Sequence, residues 1–166
     1  MTEPIKIRTE LAPGDLGRII SLHGTAYLGE PGHFGLPFEA HVARTIAEFI
    51  LDNDGRGKVF LAERDGVLIG CTAMVERPGE YGPRGQLRWV LLDASARGAG
   101  IGKKLVTMAV DHARTEGWRE VFLETTDGLA ASMGIYEKLG FKIAERRKQQ
   151  LWTSDDDVII MELPLR

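Results

Sequence analysis

One short stretch of the chain, ARGAGIGKKL at residues 96–105, combines the residue types that bind phosphate groups. Three glycines alternate through it, one arginine precedes them and two lysines follow them. A purely structural turn needs one or two flexible residues, so three alternating glycines indicate that the backbone approaches a ligand closely. Where such a turn opens a helix, its N–H groups and the positive end of the helix dipole attract an anion. The stretch therefore predicts a phosphate-binding turn.

The spacing of these residues excludes two common phosphate-binding patterns. A P-loop would need glycine at position 97 and a hydroxyl residue at position 104, where the chain has Arg97 and Lys104. A dinucleotide-binding turn would need glycine three residues after Gly100, where Lys103 stands. The phosphate must therefore be held by another pattern.

The elements around this turn follow from hydrophobic periodicity and from turn residues. Asp65-Gly66 marks a tight hairpin, and Gly117 ends the helix that begins after the glycine turn. The predicted elements are a strand at 5–11, a helix from Asp15 to about Leu28, a helix from Pro37 that ends near 52–57, a two-stranded hairpin over 59–76, a strand at 86–93, a helix from Ile101, a strand at 119–125, a helix at 130–140, and strands at 141–149 and 157–165. Because hairpins and crossovers alternate, this order predicts one α/β domain over residues 1–166 with a mixed sheet.

The composition argues against several classes of partner. A net charge of -3 gives no reason to expect a surface for nucleic acid or acidic lipid. The longest clean apolar runs have four residues and cannot span a bilayer, and the first ten residues lack the apolar core of a signal peptide. The single cysteine, Cys71, and four histidines without metal-ligand spacing indicate neither a disulfide nor a metal site. We therefore expect a cytoplasmic protein without a nucleic-acid, membrane or metal partner.

Residues 97–102 fit a third pattern, Arg/Gln-x-x-Gly-x-Gly/Ala, which resembles the pyrophosphate-binding turn of the GCN5-related N-acetyltransferases, the GNAT superfamily. The preceding strand that ends in Leu91-Leu92-Asp93, the order of elements and the segment IYEKLGF at 135–141 are also similar to that family. More narrowly, segments such as FEAHVARTIAEF and ARGAGIGKKLV are similar to the acetyltransferase domain fused to MarR-type regulators in bacteria. The resemblance implies a single-domain GNAT fold with a mixed, mostly antiparallel central sheet flanked by helices.

The resemblance also implies acetyl-CoA as the donor, with no metal, and indicates its binding residues by position. The pyrophosphate would lie on the amides at the start of the helix, with charge added by Arg97 and Lys103. The pantetheine arm would pair with the end of the preceding strand, as an added strand does. The residues implied are Val90, Leu91 and Leu92 on the strand, Arg97, Gly98, Ala99, Gly100, Ile101, Gly102 and Lys103 in the turn, and Tyr136.

Two residues are implied as catalytic. Tyr136 stands at the tyrosine of the family's YEKLGF segment, where the phenol commonly acts as general acid towards the CoA sulfur; the alternative is a tyrosine that only packs its ring. Glu124, twelve residues earlier, matches a water-relaying carboxylate of several GNAT enzymes; the alternative is a glutamate paired with Arg119 or Arg88. Many relatives have asparagine where this chain has Leu129, so one side-chain contact to the pantetheine is not carried over.

The strand before the glycine turn supplies a candidate acceptor residue. Strand alternation predicts that Gln86 and Arg88 share one face and that Leu87, Trp89 and Leu91 share the other. If the first face lines the acceptor cleft, Arg88 would hold a carboxylate of an amino-acid-like substrate; the alternative is a structural ion pair.

The expected reaction is direct attack of a primary amine on the thioester. The acceptor is predicted to be a small molecule or an amino acid, because the sequence shows no acidic groove for basic peptides. Tyr27, near the end of the first helix, is predicted to contribute to the acceptor site. The alternative from another class is a non-catalytic acyl-CoA-binding sensor. A homodimer is an oligomeric state that the sequence leaves open.

Overall fold

The computed structural model of the chain describes residues 3–26, 28, 34–53, 55–126, 129–149 and 157–166. Tyr27, predicted to contribute to the acceptor site, lies outside the described residues. Over the described ranges, no helix has the length and apolar character needed to cross a bilayer.

The strands and helices occur in the order that the sequence predicts. They are β1 (Lys6–Arg8), α1 (Asp15–Thr25), α2 (Gly35–Asp52), β2 (Lys58–Arg64), β3 (Val67–Arg77), β4 (Arg84–Leu92), a short 3₁₀ turn (Ala94–Ala96), α3 (Ile101–Thr115), β5 (Glu120–Thr126), α4 (Ala130–Lys138), β6 (Lys142–Arg147) and β7 (Val158–Pro164). The bounds differ from the predicted ones mainly at the ends. For example, β1 stops at Arg8, where its pairing with β2 ends, and not at Leu11.

The strands form one seven-stranded sheet in the order β1-β2-β3-β4-β5-β7-β6. Every neighbouring pair is antiparallel except β4 and β5, which are parallel. The predicted fold class, a mixed and mostly antiparallel sheet flanked by helices, is therefore confirmed.

Each face of the sheet is covered by helices. On one face, α3 presents a buried stripe to β2, β3, β4 and β5, and α4 packs beside it. On the other face, α1 and α2 bury Ile19, Val42 and Ile46 against the strands. Burial of each such side chain contributes roughly 1.5–3 kcal/mol to folding. The two layers pack against the sheet on both faces around the point where β4 and β5 meet.

The parallel pair β4–β5 is short. The two strands pair at Gly85 with Val121 and at Gln86 with Phe122, and then diverge. β4 continues to Leu92 and β5 continues to Thr126, each still paired on its other side. The edges that face each other across this gap therefore carry backbone groups without strand partners.

A β-bulge interrupts β4 at Trp89, whose φ of 49° lies in the left-handed region. The bulge changes the side-chain alternation, because one extra residue of β4 lies opposite β3. Leu87 packs with the α3 layer, whereas Trp89 and Leu91 pack with the α1–α2 layer. The prediction that Leu87 shares a face with Trp89 and Leu91 is therefore wrong.

Candidate active site

The glycine turn uses its three glycines in two different ways. Gly98 and Gly100 have φ values of 86° and 77°, and Gly100 is the residue that precedes α3. A Cβ on either would meet no atom within 4 Å, so the space beside them is open. Gly102 is buried, and a Cβ there would lie 3.0 Å from the side chains of Leu92 and Ile135. Two glycines thus shape the turn, and the third lets α3 pack closely on β4 and α4.

The backbone of this turn offers a row of unused donors. The first helical hydrogen bond of α3 runs from the Lys104 N–H to the Gly100 carbonyl oxygen at 3.1 Å. The N–H groups from Gly98 to Lys103 have no acceptor among the residues that the structure describes. The helix dipole adds partial positive charge at the same place. This arrangement fits an anionic ligand, because several N–H groups converge on open space.

Two cations flank the turn. Arg97 is exposed, and its Nη2 donates a hydrogen bond to the carbonyl oxygen of Ala26 at 3.2 Å, which ties the turn to the end of α1. Lys103 is exposed in the first turn of α3. Both side chains are placed where they add positive charge beside the N–H groups.

The gap between β4 and β5 opens into a cleft of about 460 Å³. Its walls come from the diverging ends of β4 and β5, from α4, and from α1 and α2 across the sheet. Val90 and Leu91 of β4 line it together with Leu123 of β5. The cleft therefore passes between the two strands and reaches both faces of the sheet.

Tyr136 approaches the cleft from α4. Its side chain is 5% exposed, lines the cleft and packs edge-on against Phe141 with ring centroids 5.9 Å apart. The preceding residue, Ile135, contacts the position of Gly102 in the glycine turn. Leu129, just before α4, also lines the cleft and presents an apolar surface there. The packing of α4 thus links the glycine turn to the wall that carries Tyr136.

Glu124 lies on β5, on the side of the sheet that α1 and α2 cover. Val121 and Leu123 face the α3 layer, so strand alternation turns Glu124 to the opposite face, where it is exposed and lines the cleft. The described part of the chain contains no ion pair or hydrogen bond from this carboxylate. The alternative in which Glu124 pairs with Arg119 or Arg88 is therefore not what the structure shows.

Arg88 points into the same cleft from β4. Its guanidinium lies 5.0 Å from the centre of the Trp89 ring, and the side chain is half-buried. Burial, followed by the charge of Arg77, lowers the pKa of Arg88. The carboxylates of Glu124 and Glu48 partly oppose this shift. A structural ion pair of Arg88 is not found among the described residues.

Sequence reasoning missed one histidine that lines the cleft, His41 of α2; His23 of α1 lines the cleft too. Burial, followed by the charges of Arg88 and Arg44, lowers the pKa of His41. Burial lowers the pKa of His23 to about 4, and its Nδ1 donates to the carbonyl oxygen of Ile19 at 2.8 Å. In the sequence, His41 directly precedes Val42 of the predicted apolar stripe of α2. This position was the one sign that His41 lies near the sheet.

Comparison with known proteins gives the family. The model of the Acetyltransferase (GNAT) family matches residues 26–141, which include the glycine turn, Glu124 and Tyr136. The chain belongs to the GNAT family. Among the described residues of this GNAT chain, no three His, Cys, Asp or Glu side chains are grouped to hold a metal ion.

Several curated GNAT relatives are similar over much of the chain. A mycothiol acetyltransferase of Thermobispora bispora is 29% identical over 144 residues, which is 85% of this chain and 48% of the relative. That of Thermomonospora curvata is 33% identical over 82% of this chain and 44% of the relative. An IAA acetyltransferase of Azospirillum brasilense is 31% identical over 65% of this chain and 68% of the relative. The chain thus spans about half the length of the mycothiol acetyltransferases that it matches.

Solved structures share the GNAT fold over nearly the whole chain. A GNAT-family protein of Desulfovibrio desulfuricans has a TM-score of 0.79 and 20% identity, covering 98% of this chain and 100% of that one. A Salmonella typhimurium protein solved with acetyl-CoA has a TM-score of 0.73 and 21% identity, covering 99% of this chain and 95% of that one. At these identities the likeness supports the fold alone.

Proposed function

We propose that this chain binds acetyl-CoA and transfers its acetyl group to the primary amine of a small molecule. The observation that carries the proposal is the row of N–H groups at residues 98–103, which have no acceptor among the described residues and stand beside a cleft between two diverging strands. Every helix start leaves four such N–H groups, here from Gly100 to Lys103, and the turn adds those of Gly98 and Ala99 beside the same gap. Membership of the GNAT family supports the same reaction class.

The donor would be held by the backbone at two places. The amides of Gly98, Ala99, Gly100, Ile101 and Gly102 bind the diphosphate, and Arg97 and Lys103 add charge. The free edge of β4 at Val90, Leu91 and Leu92 binds the pantetheine arm by strand addition. Leu129 offers no polar group to that arm, so the β4 backbone carries its polar contacts.

Glu124 is assigned the task of removing a proton from the acceptor. A lysine-like amine with a pKa of about 10.4 is neutral in only about one molecule in 10³ at pH 7. The exposed carboxylate of Glu124 lines the cleft without an ion-pair partner among the described residues, so it is available to accept this proton through a water molecule. The amine nitrogen then attacks the thioester carbon.

Tyr136 is assigned the task of protonating the leaving group. As the bond between the acetyl carbon and sulfur breaks, the thiolate takes a proton from the phenol. The attacking nitrogen loses its extra proton, which returns the phenolate to phenol, and the products are the neutral amide and free coenzyme A. Tyr136 is nearly buried in the wall of the cleft, where the phenol is shielded from water. Transfer needs no cysteine nucleophile, and Cys71 is buried with the pKa of its thiol raised to about 12 by that burial.

The size of the acceptor is the next feature of the proposal. The names of several relatives, mycothiol acetyltransferase and glucosamine 6-phosphate N-acetyltransferase, support a small acceptor. The narrower likeness to the domain fused to MarR-type regulators stays a prediction, because none of the relatives described above carries that name. The domain limits 1–166, a cytoplasmic location and a homodimer also stay predictions.

Two measurements test the proposal. Calorimetric titration with acetyl-CoA measures binding, and release of free thiol in the presence of a panel of amines measures transfer. We expect saturable binding and amine-dependent release of thiol, and the buried Cys71 should not consume the thiol reagent. No binding at about 1 mM ligand would overturn the proposal. Binding without transfer to any amine would instead support the acyl-CoA sensor.

A further inference from the structure

The guanidinium of Arg88 is a charged group in the cleft that forms no ion pair with any residue that the structure describes. The side chain is half-buried and rests on the Trp89 ring. Within the described ranges, the guanidinium of Arg88 forms no hydrogen bond or ion pair. Burying part of a charge without a partner costs free energy, so such a group is retained where a ligand supplies the opposite charge.

The surrounding charges leave Arg88 available to an anion. The nearby Arg77 is already engaged, because its Nε donates to the Gln86 Oε1 at 2.8 Å. Glu124 on the neighbouring strand and Glu48 of α2 both attract Arg88, but neither forms an ion pair with it in the described structure. Two strands therefore present an arginine and a carboxylate to one cleft without joining them.

Besides His41, His23 and Gln86, the acceptor side of the cleft carries a group of apolar side chains. Phe34, just before α2, and Phe38 of α2 pack edge-on with ring centroids 5.5 Å apart. The Phe38 ring also packs edge-on against the His23 ring, with centroids 5.8 Å apart. The other apolar side chains on this wall are Val42, Trp89 and Leu91. An acceptor with an apolar body would bury its surface here.

We propose that the acceptor is an amine with a neighbouring carboxylate and an apolar body, as in an apolar α-amino acid, and that Arg88 binds the carboxylate. Glu124 then receives the proton of the amine, which lies between the two strands. This inference rests on the function proposed above. Both residues line the cleft and both act electrostatically on His41 of α2, so one small molecule can reach them together.

The planar fork of arginine makes the interaction specific for a carboxylate. A guanidinium donates two parallel hydrogen bonds to a carboxylate, whereas a lysine donates as a point charge. A hydrogen bond to a charged group contributes enough to change kcat/KM by about 10- to 100-fold. The preference should appear mainly in KM, because the carboxylate is bound equally before and during transfer.

Matched acceptors test the inference. Phenylalanine, its amide and 2-phenylethylamine share the ring and the primary amine, and only phenylalanine carries the carboxylate. We expect kcat/KM to be about 10- to 100-fold higher for phenylalanine than for 2-phenylethylamine. The Arg88→Met variant should reduce this ratio to near one by raising KM for phenylalanine, and Arg88→Lys should retain part of it. Arg84→Met is the matched control, because Arg84 lies on β4 outside the cleft, where it stacks on Phe122 at 4.0 Å and pairs with Glu120.

A binding measurement separates this inference from the proposed function. N-acetylphenylalanine and N-acetyl-2-phenylethylamine are titrated into the protein with excess coenzyme A. Tighter binding of the first, lost in Arg88→Met and kept in Arg84→Met, supports the inference even if no amine is acetylated. Equal acetylation of phenylalanine and 2-phenylethylamine, or a ratio unchanged in Arg88→Met, would overturn the inference and leave the acetyltransferase proposal intact.

Discussion

The Cys71 thiol donates a hydrogen bond to the carbonyl oxygen of Trp89 at 3.2 Å, and Trp89 is the bulged residue of β4. The adjacent Thr72 hydroxyl donates to the carbonyl oxygen of Arg88 at 3.3 Å. A bulky residue at positive φ is strained, typically by about 1–3 kcal/mol, and persists only where its surroundings fix it. Two side chains of β3 therefore hold successive carbonyls of the bulge that aims Arg88 into the cleft.

Replacing Thr72 should disturb the acceptor site without disturbing the donor site. In Thr72→Val the Arg88 carbonyl loses its side-chain donor, which should lower the free energy of unfolding by about 1 kcal/mol. Because Arg88 is then less well oriented, KM for the acceptor should rise while the affinity for acetyl-CoA stays unchanged. Thr72→Ser keeps the hydroxyl and should restore KM. A Thr72→Val enzyme with unchanged KM would show that the bulge needs no such support.

Gly100→Ala tests the glycine turn, with Gly66→Ala as its control. The two glycines have φ values of 77° and 76°, and a Cβ at either meets no protein atom within 4 Å. Both variants should lose about 1 kcal/mol of stability from the backbone strain. Gly100→Ala alone should weaken acetyl-CoA binding, because its methyl group occupies the space beside the free N–H groups. Equal affinities in the two variants, measured by calorimetry, would contradict a diphosphate site here.

Tyr136→Phe should separate chemistry from binding. The variant keeps the ring that packs against Phe141 and removes the phenolic proton. We expect kcat to fall about 100-fold, while the dissociation constant for acetyl-CoA stays the same. If kcat is retained, or if binding falls in parallel with kcat, the assignment of Tyr136 as general acid is wrong.

Glu124→Gln should change the pH dependence of the reaction. Without the carboxylate, the rate depends on the fraction of acceptor that is already neutral, which rises about tenfold per pH unit below the amine pKa. The deficit of the variant should therefore be large at pH 7 and should shrink as the pH approaches the pKa of the amine. The pH profile of kcat/KM measures this, and a deficit that stays constant with pH would argue against Glu124 as the base.

His23 should make the fold sensitive to mild acid. Burial lowers the pKa of its ring to about 4, whereas the unfolded chain has a histidine pKa near 6.5. As the pH falls, the unfolded state therefore binds the proton before the folded state does. The free energy of unfolding is at its full value above pH 6.5 and decreases as the pH falls towards 4, by about 3 kcal/mol in all. Urea unfolding of the protein and of His23→Gln at several pH values measures the difference in slope. Parallel pH profiles would contradict the low pKa.

The sequence predicted those features that depend on local patterns. Alternation and turn residues such as Asp65-Gly66 are readable from the chain, so the order of strands and helices was predicted correctly. The bulge at Trp89 was not, because it depends on the register of β4 against β3 and on donors from Cys71 and Thr72. Likewise, that no described side chain forms an ion pair with Arg88 depends on which side chains fold around it, and no spacing along the chain encodes that.

Only two residue pairs join β4 to β5, so the sheet consists of two parts, β1–β4 and β5–β7, that share a short boundary. Arg88 lies on β4 in the first part, and Glu124 lies on β5 in the second. A molecule that binds to both residues must therefore span the gap between the two parts of the sheet. The angle between the strands at this boundary thus sets the distance between the Arg88 guanidinium and the Glu124 carboxylate. Substitutions at Gly85 or Val121, which pair at the boundary, would therefore change which acceptors fit.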